Sequence, residues 1–162
     1  MMLSAEAKSS IKPRTVFTHN EINKLLAIAD TQMKAMIWLG LNCGFGCTGC
    51  SELQWKHLDL TNSRVVLPRR KTGIQRDLPL WPETIEAIKA VPYKGKLVFY
   101  TTRGNPFIRN VLKTDINGEE KNSTLNTIST KFSRLLKKAG LNFPKGTGFY
   151  TLRRTTAFVK QT

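Results

Sequence analysis

Five cations, Arg64, Arg69, Arg70, Lys71 and Arg76, occupy one short stretch, and no acidic residue lies between Asp59 and Asp77. A rigid ribbon carrying that charge suits a phosphate backbone, because each phosphate neutralised by Lys or Arg releases condensed counterions. Exposed edge strands also carry Lys and Arg to block edge-to-edge pairing, so the residues fit that simpler role too. A second group is Tyr150, Arg153 and Arg154, near the end of the chain. A phenol can hydrogen-bond a phosphate oxygen but is a poor base near neutral pH. Tyr150 reads equally well as a half-buried aromatic, and Arg153 as a helix-start arginine bound to a carboxylate or carbonyl. The third group is Cys43, Cys47 and Cys50. Their C-x-x-x-C-x-x-C spacing could hold three irons of a four-iron cluster, and with His57 they could make a zinc set. Packed small thiols in a helix turn are the ordinary alternative.

The elements that must position these groups are legible in the pattern. Val65 and Leu67 alternate on one face, as do Leu78 and Leu80, which predicts two strands within 64–80. Gly73 offers the positive φ of a tight turn and Thr72 a local hydrogen bond, so the hairpin delivers Lys71 near its tip. Thr18 and Glu21 have capping-box spacing ahead of Ile22, Leu25, Leu26 and Ala29, which predicts a first helix. A second, almost wholly apolar helix runs through Met33, Met36, Ile37, Leu39 and Gly40 and belongs to the core. His19, at the mouth of the first helix, reads as a surface residue. After the glycine-rich turn that holds the cysteines come Leu53, Trp55 and Leu58, then the hairpin. Trp81-Pro82-Glu83 opens another helix, with Ile85, Ile88 and Val91 inward. Residues 97–100 read as a short strand and 101–123 as an irregular loop with turn signals at Gly104, Asn105, Pro106, Asn117 and Gly118. A long helix from Leu125 to Ala139 turns Ile128, Phe132, Leu135 and Leu136 inward and Lys131, Arg134, Lys137 and Lys138 outward, ending at Gly140. A final helix starts at Tyr150. No internal repeat is evident.

A chain of 162 residues has room for one domain with a real core. Residues 1–16 read as a flexible arm or interdomain linker, and 17–162 as the domain. Lys and Arg outnumber Asp and Glu 26 to 11, a net charge of +15, which points to a polyanionic partner. No stretch approaches the ~18 apolar residues of a membrane span, and the N-terminus is unlike a signal peptide. Three clustered cysteines make a poor disulfide framework and fit a reducing compartment, so the expected location is cytoplasmic.

The capped helix pair with its Gly-rich turn, the hairpin with Lys71-Thr72-Gly73, and the late Leu152-Arg153-Arg154-Thr155 together resemble the catalytic domain of tyrosine recombinases, the phage integrase family. Residues 43–59 are similar to the family's first box, with Gly44, Leu53, Trp55, Leu58 and Asp59 matching. The resemblance implies an α+β, mainly helical fold with a small antiparallel β-sheet. It implies DNA strand cleavage and rejoining through a phosphotyrosine, with no metal or cofactor, on double-stranded DNA and with self-association on that DNA. Lys71 matches the hairpin lysine, a general acid, and Arg153 the second arginine, which grips the phosphate. Tyr150 stands at the histidine position, while Arg69, Arg70, Arg76 and Arg154 are candidate DNA contacts beside Lys71. Two positions depart from the pattern: Gly46 replaces the first arginine and Gly49 the acid after it. Tyr93 and Tyr100 match no nucleophile position, and the chain stops nine residues beyond Arg153, ahead of the family's nucleophile region. The expectation is therefore a DNA-binding catalytic-domain fragment that lacks its C-terminal end and is incompetent for a complete reaction. The alternative is a non-catalytic DNA-binding module of the same fold.

Overall fold

The computed structural model describes residues 16–68 and 75–160, with side chains described as far as Thr155. The elements, in chain order, are α1 (His19–Ile28), α2 (Thr31–Cys43), α3 (Cys47–Glu52), β1 (Leu58–Asp59), β2 (Arg64–Pro68), β3 (Gln75–Pro79), α4 (Pro82–Lys89), β4 (Ile108–Thr114), β5 (Glu120–Asn126), α5 (Thr127–Lys138) and α6 (Thr151–Lys160). A single 3-10 turn, Trp55–His57, precedes β1. The architecture is α+β and mainly helical, as the sequence implies.

The local signals explain where the first helices start and stop. Thr18 Oγ1 accepts the Glu21 N–H while the Thr18 N–H donates to Glu21 Oε1, which completes the expected capping box. Asp30 caps α2 through Met33, and Gly44 ends it in the left-handed region at φ 71°. Between these caps α2 is buried on nearly every face. It is the central helix of the domain, with α4 and α6 packed against it.

Two contacts fix those neighbours. Asn42, buried in α2, accepts the Trp81 N–H at 2.7 Å and the Thr84 hydroxyl at 2.8 Å on Oδ1, and its amide donates to the Pro79 carbonyl at 2.9 Å. One side chain thus ties α2 to the end of β3 and the start of α4. On the other side Gly40 meets α6 so closely that a β-carbon there would stand 3.0 Å from both Cβ and Cδ1 of Leu152. Gly40→Ala should therefore destabilise the fold by about 1–3 kcal/mol, the usual cost of overpacking. A urea midpoint equal to wild type would refute that tight contact.

The strands β1, β2 and β3 form one antiparallel sheet in that order, with Val65 opposite Leu78 and Leu67 opposite Arg76. Val65 and Leu80 enter the core, and Leu67 and Leu78 pack against it. The tip of this hairpin, including Arg69, Arg70, Lys71, Thr72 and Gly73, lies outside the described residues.

Three expectations need correction. Residues 101–123 are not one continuous loop: 101–107 are irregular as expected, but β4 and β5 pair antiparallel from Ile108–Asn126 to Thr114–Glu120. The connecting turn is held by Asp115, whose carboxylate accepts the Asn117 and Glu119 N–H groups, and by Gly118 at φ 82°. Both faces of this hairpin are largely solvated, so it lacks the apolar alternation that reveals a strand. The long helix consequently starts at Thr127, not Leu125, with Asn126 as its cap. Residues 97–100 contribute only one bridge, Gln54 to Leu97.

An aromatic cluster holds the last helix in place. Phe132 meets Phe17 and Phe149 edge-on, with ring centroids 6.1 and 5.5 Å apart, and Phe17 also meets Phe143 at 5.3 Å. The Phe17 N–H donates to the buried Thr155 hydroxyl at 3.1 Å, which in turn donates to the Thr151 carbonyl.

Candidate nucleic-acid interface

Helical periodicity decides which side chains of α6 reach solvent. Thr151, Leu152 and Thr155 are buried against α2 and the aromatic cluster, so Arg153 and Arg154 emerge on the opposite face. Phe149 anchors the residue before Tyr150 in the core, which leaves the Tyr150 ring 52% exposed at the mouth of the helix. Arg153 Nη1 donates to Tyr150 Oη at 2.9 Å, and both guanidinium groups lie over the phenol, 5.5 Å away for Arg153 and 5.9 Å for Arg154. Cation–π attraction and a hydrogen bond so hold two charges over one ring.

The glycine turn between α2 and α3 lies directly beneath. A β-carbon on Gly44 would stand 3.5 Å from Arg153 Cγ, and one on Gly46 would stand 3.7 Å from Tyr150 Cδ1. Arg76 enters the same region from β3. It lies half-buried on the inward face of its strand, donates to the Cys43 carbonyl at 3.1 Å and covers the Phe45 ring at 5.6 Å. Arg76, Tyr150 and Arg153 thus border the 43–46 turn, and Arg154 joins them over the Tyr150 ring. A carbonyl and a phenol leave a guanidinium its full charge, so this arrangement can bind an anion.

The ribbon of positive charge read from the sequence needs one correction. Arg64 ion-pairs with Asp77 across the sheet, and Arg64 Nη2 also donates to the Asp77 carbonyl. Antiparallel register brings together residues that look separate in the sequence, so Arg64 is partly neutralised. Arg69, Arg70 and Lys71 lie outside the described residues, on the connection that joins β2 to β3. The carbonyl of Cys43 and the ring of Phe45 are parts of the site that sequence reasoning missed. The available signal was Arg76 in the same alternating register as the inward-facing Leu78 and Leu80.

The cysteine alternatives find no support in this geometry. Among the described residues, no three His, Cys, Asp or Glu side chains come together as a set able to hold a metal ion. His57 Nδ1 accepts the Gln54 N–H at 3.1 Å, closing the 3-10 turn, and burial followed by the nearby Lys56 lowers its pKa. Burial raises the pKa of Cys47, with a side-chain contact to Asn126 opposing it. Burial likewise pushes the Cys50 thiol well up, and the neighbouring Cys47 and Cys43 add to the rise. The other tyrosines serve elsewhere: Tyr93 packs on Trp55, and Tyr100 Oη accepts the Leu97 N–H.

A central buried helix, a three-stranded antiparallel sheet and a late helix with paired arginines are the architecture of a tyrosine-recombinase catalytic domain. The chain belongs to the phage integrase family, whose sequence profile matches residues 15–159. In fold it is similar to XerA recombinase, at 20% identity and a TM-score of 0.69 over 91% of this chain and 50% of that one. It is also similar to lambda integrase bound to DNA, at 19% identity and a TM-score of 0.63 over 91% of this chain and 51% of that one. A lambda integrase dimer bound to a core site matches at 19% identity and a TM-score of 0.64, over 91% and 52% of the respective chains. The chain therefore spans about half the length of these solved structures. No curated protein sequence matches it. Among the described residues no helix is long and apolar enough to cross a membrane.

Proposed function

We propose that this chain is the DNA-gripping part of a site-specific tyrosine recombinase, in which the cations around the 43–46 turn hold a backbone phosphate of duplex DNA. The observation that carries this reading is the convergence of Arg76, Arg153 and Tyr150 at that turn, with Arg154 over the Tyr150 ring. In this reading Arg153 grips the non-bridging oxygens with its planar fork, and Tyr150 supplies a neutral donor beside it. In a strand-cleaving form of this reading Lys71, on the β2–β3 connection, would serve as general acid for the departing sugar oxygen; in the non-catalytic form it contacts phosphate. Arg69, Arg70, Arg76 and Arg154 contact flanking phosphates, and a second copy binds the same DNA. A solved DNA complex and a solved dimer among the fold relatives support both partners.

Gly46 favours the non-catalytic form of this reading. Oxyanion stabilisation by a donor is typically worth about 10²–10³ in rate, and glycine brings no side chain to supply it. Tyr93 and Tyr100 have their partners elsewhere, so within the described residues the cluster grips a phosphate rather than attacks it.

The test is fluorescence anisotropy with a labelled random-sequence duplex over a series of salt concentrations. Log affinity should fall linearly with log salt, with a slope of about −0.9 for each phosphate neutralised. Affinity independent of salt would sink the phosphate reading.

A further inference from the structure

The glycine turn carries chemistry that phosphate binding does not use. We propose that Cys47 and Cys50 form a reversible thiol–disulfide pair that exchanges with small-molecule disulfides. This pair is distinct from the DNA-gripping role and does not depend on it.

Spacing and placement carry the inference. Cys47 is the first residue of α3 and Cys50 lies one turn on, so the two share a helix face. Residues three apart on a helix have Cβ atoms about 5–6 Å apart, against the ~3.5–4.5 Å of a disulfide. Cys47 is the first residue of the helix, where the leading N–H groups have no intrahelical partner, so closing the gap requires a shift of that first residue and release of its side-chain contact with Asn126. Gly49, inside the loop to be closed, adds no side chain to crowd it. A β-carbon there would already touch Phe45 at 3.4 Å.

Exposure assigns the order of events. Cys47 is partly exposed, and Cys50 is wholly buried behind it. Cys47 loses its proton to give the thiolate, a minor form because burial disfavours it. That thiolate attacks one sulfur of an incoming disulfide, a new S–S bond forms, and the other sulfur leaves as a thiolate that takes up a proton. Cys50 then loses its proton, attacks Cys47 Sγ and expels the second thiolate. The protein loses two protons and two electrons, and the small disulfide takes them up to become two thiols. Cys43 is buried at the end of α2, outside this helix turn, and remains a thiol.

The experiment uses the whole reduced chain, exposed to oxidised glutathione under native conditions and then quenched in acid. Remaining thiols are alkylated after unfolding, and the peptide holding all three cysteines is sequenced by mass spectrometry. The expected peptide has lost two hydrogens and carries label on Cys43 alone, and dithiothreitol restores three labelled sites. Cys50→Ser should instead trap one glutathione on Cys47. Overturning results are a Cys43–Cys47 link, a bridge between chains, or full labelling of Cys47 and Cys50 after oxidant has been shown to react with a reference dithiol.

Discussion

Asn42→Ala is expected to lower the unfolding free energy by about 2–4 kcal/mol, a large share of what a domain of this size has. Removing the side chain leaves the buried Thr84 hydroxyl and the part-buried Trp81 N–H and Pro79 carbonyl without their partner. An unsatisfied buried polar group costs roughly 1–3 kcal/mol, and some of that is recovered where water can enter the space left behind. The urea midpoint should fall at an unchanged slope. Asn42→Asp should be destabilised as well, because a carboxylate still accepts from Trp81 and Thr84 but turns an oxygen toward the Pro79 carbonyl. A midpoint within error of wild type in both variants would mean that Asn42 does not join the three elements. The loss would extend to the site, since Pro79 ends the strand that carries Arg76.

The second large effect concerns charge. Converting Arg76, Arg153 and Arg154 together to Gln should make the salt slope of duplex binding shallower by about 2.7, if each arginine neutralises one phosphate. Affinity near 0.1 M salt should drop on the order of 10- to 100-fold, about equally for unrelated duplex sequences. Arg64→Gln is the internal control, because Asp77 already occupies that guanidinium, and its slope should stay at the wild-type value. An unchanged slope in the triple variant, with native circular dichroism, would place DNA on some other face. A change with Arg64→Gln as large as with the triple variant would argue for diffuse charge instead of a built site.

How much of this was legible depended on whether the information was local. Thr18 with Glu21, and Pro82, are short-range signals, and the helices they open lie where the sequence puts them. The β2–β3 strands were legible because Val65, Leu67, Leu78 and Leu80 alternate against a core. β4 and β5 were missed because Lys121, Asn122, Ser123 and Thr124 show no such alternation, and their ladder rests on pairing and a turn. The Asn117-Gly118 dipeptide was the one local cue for that hairpin. At the site, the residues were nameable but their relations were not. Arg153 with Tyr150 follows from helical spacing, whereas Arg64 with Asp77, Arg76 with the Cys43 carbonyl, and Gly46 beneath the Tyr150 ring are products of register and packing.

The Phe17 amide donates to the Thr155 hydroxyl across the whole length of the domain sequence. The start of the described body therefore lies beside the first turns of α6, an adjacency of the kind found in domains that tolerate circular permutation. A short bridge from the end of α6 back to Phe17, with new termini opened at Gly118, would cut only the solvated β4–β5 turn and leave the aromatic cluster whole. The same adjacency means that polypeptide attached ahead of Phe17 and polypeptide attached behind Thr155 would be tethered at one pole. A pull on either would load the α6 end of the molecule directly, next to the arginines that face the proposed phosphate.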